Sequence, residues 1–259
     1  MRVVATIESR MGSTRLPGKN AKPLAGHPML ARLIERVRAA DMVDTVCVAT
    51  TSDPSDDPLE AIARGAGAEV FRGSTDDVLG RVLGAARSVS ADVIVEITGD
   101  CPLVDPSIVD AAVRRYAAGG ADYVANILDV LSFPIGFDVQ VFAVDLLDEV
   151  SRLTDDPGDR VDVTPYIHRH PDRYRLLNLR APAELDRPEY FLCVDYPEDF
   201  EVVSHLFEAL YPTNPRFGAR EVIPFLDARP ELARLNTGRP GLFTFPSSGG
   251  AARQEVMVL

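Results

Sequence analysis

The chain has 259 residues, of which 46% are hydrophobic and 25% charged, and a formal net charge of −12. This composition excludes disorder throughout, and the acidity argues against a surface that tracks a nucleic-acid backbone, so no nucleic-acid partner is expected. No run approaches a bilayer-spanning length, and Met1–Arg10 lacks an apolar signal core, so a cytoplasmic protein with no membrane partner is expected.

The first predicted element is a buried strand over Val3–Ile7, a short β-branched run of the kind found in parallel sheets. A helix follows from Pro28, with Leu30, Leu33, Ile34 and Val37 at helical spacing. A strand from Thr45, a helix closed by Gly65, and a strand from Ala68 complete a βαβαβ unit. The alternation continues through a helix at residues 77–89, a strand ending at Thr98, a helix from Asp105 ended by Gly119 and Gly120, and a strand at residues 121–126. Strands alternating with helices predict an α/β sandwich on a mostly parallel sheet. From about 127 to 190 the rhythm breaks into an α+β extension: a strand pair within Phe133–Val144, a helix from Asp145, and a strand from Tyr174. A last helix runs from Asp199. The main domain is expected to end near 236, and the Gly-, Pro- and Ser-rich residues 237–259 read as a poorly packed tail. There is no internal repeat. Cys47, Cys101 and Cys193 stand far apart without metal-ligand spacing and read as small buried residues.

Between the first strand and the first helix lies RMGSTRLPGK, residues 10–19. Ligands bind open α/β sheets beyond the carboxyl ends of the strands, which is where this loop falls. Its glycines let backbone amides approach an anion closely. Arg10, Arg15 and Lys19 offer charge-assisted hydrogen bonds of roughly 1.5–3 kcal/mol each. The loop is not a Walker A motif, because Gly12 and Gly18 enclose five residues and Asn20 stands where a metal-binding hydroxyl would. A GxGxxG fingerprint is also absent after this strand. A nucleoside triphosphate suits the loop; a solvated basic loop is the bland alternative.

RMGSTRLPGK resembles the phosphate-binding signature of cytidylyltransferases that make CMP-activated sugars. The resemblance continues in order through ATTSDPSDDP, VFRGSTDDVLGR, ITGDCPLVDP, DVTPYIHRHPDRY and VDYPEDFEVV, the pattern of the spore coat polysaccharide biosynthesis protein F branch, over about residues 1 to 210. It implies a Rossmann-like nucleotidyltransferase α/β/α sandwich, commonly dimeric. It also implies CTP as donor, magnesium as cofactor, and a sugar acid or other small acidic acceptor such as a phosphate or phosphonate. The nucleotide-binding residues carried over are Ile7, Ser9, Arg10, Gly12, Ser13, Thr14, Arg15, Lys19 and Asp100, with Arg72, Gly73 and Ser74 beside the base.

Magnesium prefers one or two carboxylates with phosphate oxygens and water. Asp100 and Asp195 each follow an apolar run, VIVEIT and YFLCV, and the resemblance makes them the metal ligands; either alone reads as a cap or turn residue. Arg10, Lys19, Asp100 and Asp138 are the implied catalytic set, Asp138 also meeting the acceptor with Arg160 and Tyr166. Asp77 reads as an ordinary residue at a helix start that Ser74 or Asp76 would cap, and His168 and His170 as surface residues. The chain departs from the branch at Ile135, Val161 and Asp162, all on the acceptor side. A nucleotide-sugar glycosyltransferase would carry an Asp-x-Asp motif at a strand end, and none stands at the expected place. A binding protein without turnover would have lost several of Arg10, Arg15, Lys19, Asp100 and Asp195, all of which are present.

Overall fold

A computed structural model describes residues 1–237 and 248–259. Its strands are β1 (Val3–Glu8), β2 (Pro23–Leu24), β3 (His27–Pro28), β4 (Thr45–Thr51), β5 (Glu69–Gly73), β6 (Val93–Thr98), β7 (Tyr123–Ala125), β8 (Gln140–Ala143), β9 (Leu176–Arg180) and β10 (Arg253–Val256). The longer helices are α1 (Met29–Val37), α2 (Asp57–Gly65), α3 (Val78–Ser88), α4 (Pro106–Ala117) and α5 (Val144–Leu153). The short helices α6 (Pro157–Arg160) and α7 (Pro165–His168) follow, then α8 (Pro197–Leu210), α9 (Ala219–Asp227) and α10 (Pro230–Ala233).

Eight strands form one sheet in the order β10-β9-β7-β8-β6-β1-β4-β5, and β2 pairs with β3 as a separate small ribbon. β8 runs antiparallel to both β6 and β7, while the other pairings in the large sheet are parallel. Helices cover both faces. On one, Leu33 and Ile34 of α1, Leu59 of α2, Ile108 of α4 and Phe207 of α8 pack with Ala5 and Ile7 of β1. On the other, Leu79 and Val82 of α3 and Leu147 of α5 pack with Val4 and Ile94. The sheet is therefore the expected mostly parallel α/β/α sandwich.

Several local expectations are corrected. Pro28 precedes α1 as its cap. Only β8 forms within the expected strand pair at Phe133–Val144; Ile135 makes an isolated bridge to Phe191 instead. Helix α3 is capped by Asp77, whose side chain accepts from Gly80 N, while Ser74 Oγ accepts from the amides of Asp76 and Asp77. The expected tail differs over residues 248–259, where β10 adds to β9 in parallel and Asp129 accepts from Ser248 N. The rest of that stretch, 238–247, lies outside the described residues.

Candidate active site

A cleft of about 360 Å³ opens at the carboxyl ends of β1 and β6. The loop after β1 supplies one wall. Leu16 anchors it by burial in the core, and Gly18, at φ 68°, adopts a left-handed conformation that favours glycine. Met11 O accepts from Ser13 N at 2.8 Å, and Ser13 Oγ accepts from Leu16 N at 3.2 Å. Two polar side chains brace the loop from beneath. Asn20 Nδ2 donates to Ser9 Oγ at 2.7 Å, and Asp56, 1% exposed, accepts from Met11 N at 2.7 Å and from Thr50 Oγ1 and Thr51 N at 3.2 Å. Held this way, the backbone N–H groups of Gly12, Thr14 and Arg15 donate to no acceptor among the described residues. Free amides on a curved loop form an anion-binding concavity.

The opposite wall is acidic. Asp100 follows β6 through Gly99, and Asp195 is brought beside it by Val194 N donating to Asp100 O at 2.8 Å. The apolar run before Asp195 joins no strand and carries an isolated bridge at Phe191. Lys19 Nζ spans the two carboxylates, 3.2 Å from Asp100 Oδ2 and 3.1 Å from Asp195 Oδ1, and donates to Val194 O at 2.7 Å. Arg15 reaches Asp195 Oδ1 at 2.6 Å. Burial opposes charge on Lys19 most strongly, yet Asp100 and Asp195 hold its ammonium above the usual range. Burial likewise opposes ionisation of Asp100, and Lys19 and Thr98 overcome it to keep the carboxyl below its ordinary value.

Of the residues expected around the nucleotide, Ser9, Arg10, Gly12, Ser13, Thr14, Arg15, Lys19 and Asp100 line this cleft, as does Asp195. Ile7 does not: its side chain is fully buried in the core, because strand alternation sends it to the face opposite Glu8. Arg72, Gly73 and Ser74 also lie off the cleft. Arg72 is held by Asp57 at 2.5 Å and by Thr51 O at 2.8 Å, and Gly73 O accepts from Ser52 N.

The acceptor-side group is more dispersed. Asp138 lies behind the wall, accepting from Gly136 N at 3.3 Å, with burial raising its carboxyl to about 7. Arg160 pairs with Asp77 at 3.4 Å and donates to Ser151 O, and Tyr166 stacks on His170 with centroids 4.0 Å apart. His168 is not on the surface: it is 1% exposed, and its Nε2 lies 2.8 Å from Tyr123 Oη.

The cleft also contains Asn20 and Val161, which the sequence reading had not made site residues, and Glu8, Val78, Arg81, Thr98 and Gly99, which it passed over. Arg81, 4% exposed, reaches under the cleft from α3, donating to Ala49 O at 3.2 Å and Ser74 O at 2.6 Å. Glu8 was legible from period-two alternation, since it shares the face of Val4 and Thr6. The cysteines are buried as expected, but the fold brings Cys101 Sγ and Cys193 Sγ to 3.0 Å beside Asp100.

Residues 4–214 match the family model for cytidylyltransferases. The chain is 35% identical to the spore coat polysaccharide biosynthesis protein SpsF of Bacillus subtilis, over 89% of this chain and 96% of that protein. A cytidylyltransferase structure from Leptospira borgpetersenii superposes with a TM-score of 0.84 at 32% identity, covering 92% of this chain and 99% of that one. The fold alone is shared with a CMP:2-keto-3-deoxy-manno-octonic acid synthetase solved with CTP, at a TM-score of 0.61 and 19% identity over 80% of this chain and 99% of the other.

Proposed function

The chain belongs to the cytidylyltransferase family, and from that premise we propose that it transfers CMP from CTP to a small acidic acceptor, a sugar acid, phosphate or phosphonate, releasing pyrophosphate. An oxygen of the acceptor attacks the α-phosphorus, the bond to the bridging oxygen of the β-phosphate breaks, and pyrophosphate leaves with that electron pair. Such a reaction depends on alignment and charge stabilisation more than on a covalent intermediate.

One observation carries this reading. The three free amides of Gly12, Thr14 and Arg15, with Arg10 and Lys19, face two carboxylates across a single cleft. The amides and cations would cradle the triphosphate. Asp100 and Asp195 would hold magnesium, and the donor set fits: each already turns an oxygen toward the same ammonium. Magnesium, when bound, supplies charge neutralisation at the phosphate oxygens. Lys19 would then exchange its carboxylate partners for the phosphates. Asp138, half-buried near Asp100, is proposed to take the proton of an attacking hydroxyl, which its raised value suits. A homodimer is proposed with this activity, testable by light scattering. Among the described residues, no helix is long and apolar enough to cross a membrane.

The experiment is to mix protein and magnesium with each nucleoside triphosphate and a panel of sugar acids, phosphosugars and phosphonates, and to follow pyrophosphate. Release with CTP and one acceptor is the expected outcome. Absence of CTP binding by calorimetry would sink the reading.

A further inference from the structure

Resting on the transferase reading, we infer that Arg81 recognises the acid group of the acceptor, in a subsite on the α3 side of the cleft, across the sheet edge from where the phosphate loop is anchored. Strand register divides the cleft in this way. Glu8 of β1 lies beside Thr98 of β6, and alternation puts both on the face of Val4 and Ile94, against which α3 packs. Arg81 and Val78 of α3 line the cleft from that side. The loop after β1 is anchored on the other face, where Leu16 and Leu24 join Ile7 in the core. Val161 also lines the cleft, and the segment it begins continues through Val163 and Ile167 into the α3-side core. The part of the chain expected to meet the acceptor therefore borders the Arg81 side.

Arg81 is 4% exposed, and a guanidinium buried to that degree is ordinarily paired with a carboxylate. Among the described residues it forms no ion pair. Its Nε donates to Ala49 O at 3.2 Å and its Nη1 to Ser74 O at 2.6 Å, two main-chain contacts that fix the plane of the group, while Nη2 donates to no acceptor among the described residues. The neighbouring acids do not answer its charge. Asp77, one turn earlier at the start of α3, is committed to Gly80 N and Arg160. Glu8 is paired in register with Ala49, whose carbonyl Arg81 holds, yet its carboxyl makes no hydrogen bond among the described residues. Burial, followed by Asp162, raises that carboxyl to about 8, so at neutral pH it keeps its proton and is a donor rather than a counter-ion. A fixed, unpaired guanidinium with a free edge beside a protonated carboxyl is arranged to take an anion.

The loop and its cations already account for the triphosphate and the metal. Lys19 bridges Asp100 and Asp195, Arg15 reaches Asp195, and the free amides belong to the same loop. Arg81 is left with one charge to satisfy on the opposite side of the sheet edge. The matching ligand is a single negative charge, a carboxylate accepting from Arg81 Nη2 and from the Glu8 O–H. A dianionic phosphate would set its second charge beside Glu8 without a second buried cation, since Arg10 is exposed and rises from the loop. Val78, three residues before Arg81 on the same helix, presents an apolar side chain to this end of the lining, where a charge-assisted bond is less screened by water. The inferred acceptor is therefore a carboxylic acid, such as a sugar acid, whose charge Arg81 reads.

The test is calorimetry on the full-length protein loaded with magnesium and a non-hydrolysable CTP analogue. The probes are sugar acids, each matched with its carboxamide, and sugar phosphates as the alternative acid. At least one sugar acid should bind wild type on the order of tenfold more tightly than its carboxamide. Arg81→Gln should remove that preference while leaving affinity for the CTP analogue within about twofold. Arg81→Lys, which keeps the charge without the planar fork, should retain part of the preference. Arg81→Met, an apolar replacement of similar length, takes the place of Arg81→Gln if that variant does not fold. Acids bound no better than carboxamides or not at all, a sugar phosphate bound more tightly than every sugar acid, or a preference that survives loss of the guanidinium would each overturn the inference. So would weaker binding of the CTP analogue to the folded variant, which would assign Arg81 to the nucleotide. Absence of CTP-analogue binding to wild type sinks the transferase reading itself, so the two failures are told apart.

Discussion

Lys19 and Asp100 stand 81 positions apart in sequence, and their side chains meet at 3.2 Å. The lysine lies between Asp100 and Asp195, in the space that the proposed metal would share. Lys19→Ala should act in opposite directions on the two ligands. CTP affinity should fall roughly 10- to 100-fold, the equivalent of one charge-assisted bond, whereas magnesium should bind the nucleotide-free variant more tightly than it binds wild type. Calorimetry with each ligand measures both, and unchanged CTP binding would mean that the loop does not cradle the triphosphate.

Asp100→Asn and Asp195→Asn keep the side-chain shape and remove the charge. Each should lower turnover by about 100-fold or more and raise the magnesium concentration needed for half-maximal rate. Asp195→Asn also weakens the 2.6 Å pair with Arg15, so it should affect CTP binding more. Pyrophosphate release titrated with magnesium checks this; full magnesium-dependent activity in both variants would remove these residues from the metal site.

Asp56 does not line the cleft and positions the loop through Met11 N and the Thr50 and Thr51 groups. Asp56→Ala leaves those donors unpaired and should cost about 2–4 kcal/mol of stability while raising KM for CTP. Asp56→Asn should recover part of both, because its amide oxygen can still accept. Urea unfolding and steady-state kinetics on the pair test the assignment.

Gly99 lies between β6 and Asp100, and a Cβ there would overlap the Glu8 carbonyl oxygen. That oxygen accepts from Gly99 N at 2.8 Å. Gly99→Ala must therefore push β1 and β6 apart at the cleft, at a cost of about 1–3 kcal/mol and with weaker CTP binding. A variant as stable and active as wild type would show that the strand ends have room to shift.

Glu8 predicts a pH dependence of stability. Burial and Asp162 raise its carboxyl from 4.5 to about 8, against the opposing pull of Arg81 and Arg10 and with a further push from Asp100. A raised carboxyl binds its proton more tightly in the folded state. Its contribution is complete below pH 4.5 and is lost as pH rises to about 8. Wild type should lose thermal stability across this window relative to Glu8→Gln; parallel melting curves across the window would remove the effect.

Much of the framework was legible because it is written in local periodicity. The helical spacing of Leu30, Leu33, Ile34 and Val37, the β-branched run at Val3–Ile7, and the glycines and cations of residues 10–19 each act within a few neighbours. Misassignments fell where local signals compete. Phe133–Val144 has strand-like residues throughout, yet only Gln140–Ala143 finds partners in the sheet, because Ile135 pairs with Phe191 instead. Ile7 and Glu8 are adjacent in sequence, but pleating sends one to the core and the other to the cleft.

By itself the sequence determined the alternation of the main strands and helices from Val3 to about residue 126, the strand-end position of the cationic loop, and the presence of two aspartates able to oppose it, since these depend on residue type and short-range spacing. Only the tertiary structure decided that Lys19 bridges Asp100 and Asp195, that Asp56 braces the loop, that Arg72 lies off the cleft, and that Glu8 and Glu96 share one face of the sheet. These relations join residues tens to hundreds of positions apart, and the free energy that selects them comes from burying the sheet between its two helical layers rather than from any local preference.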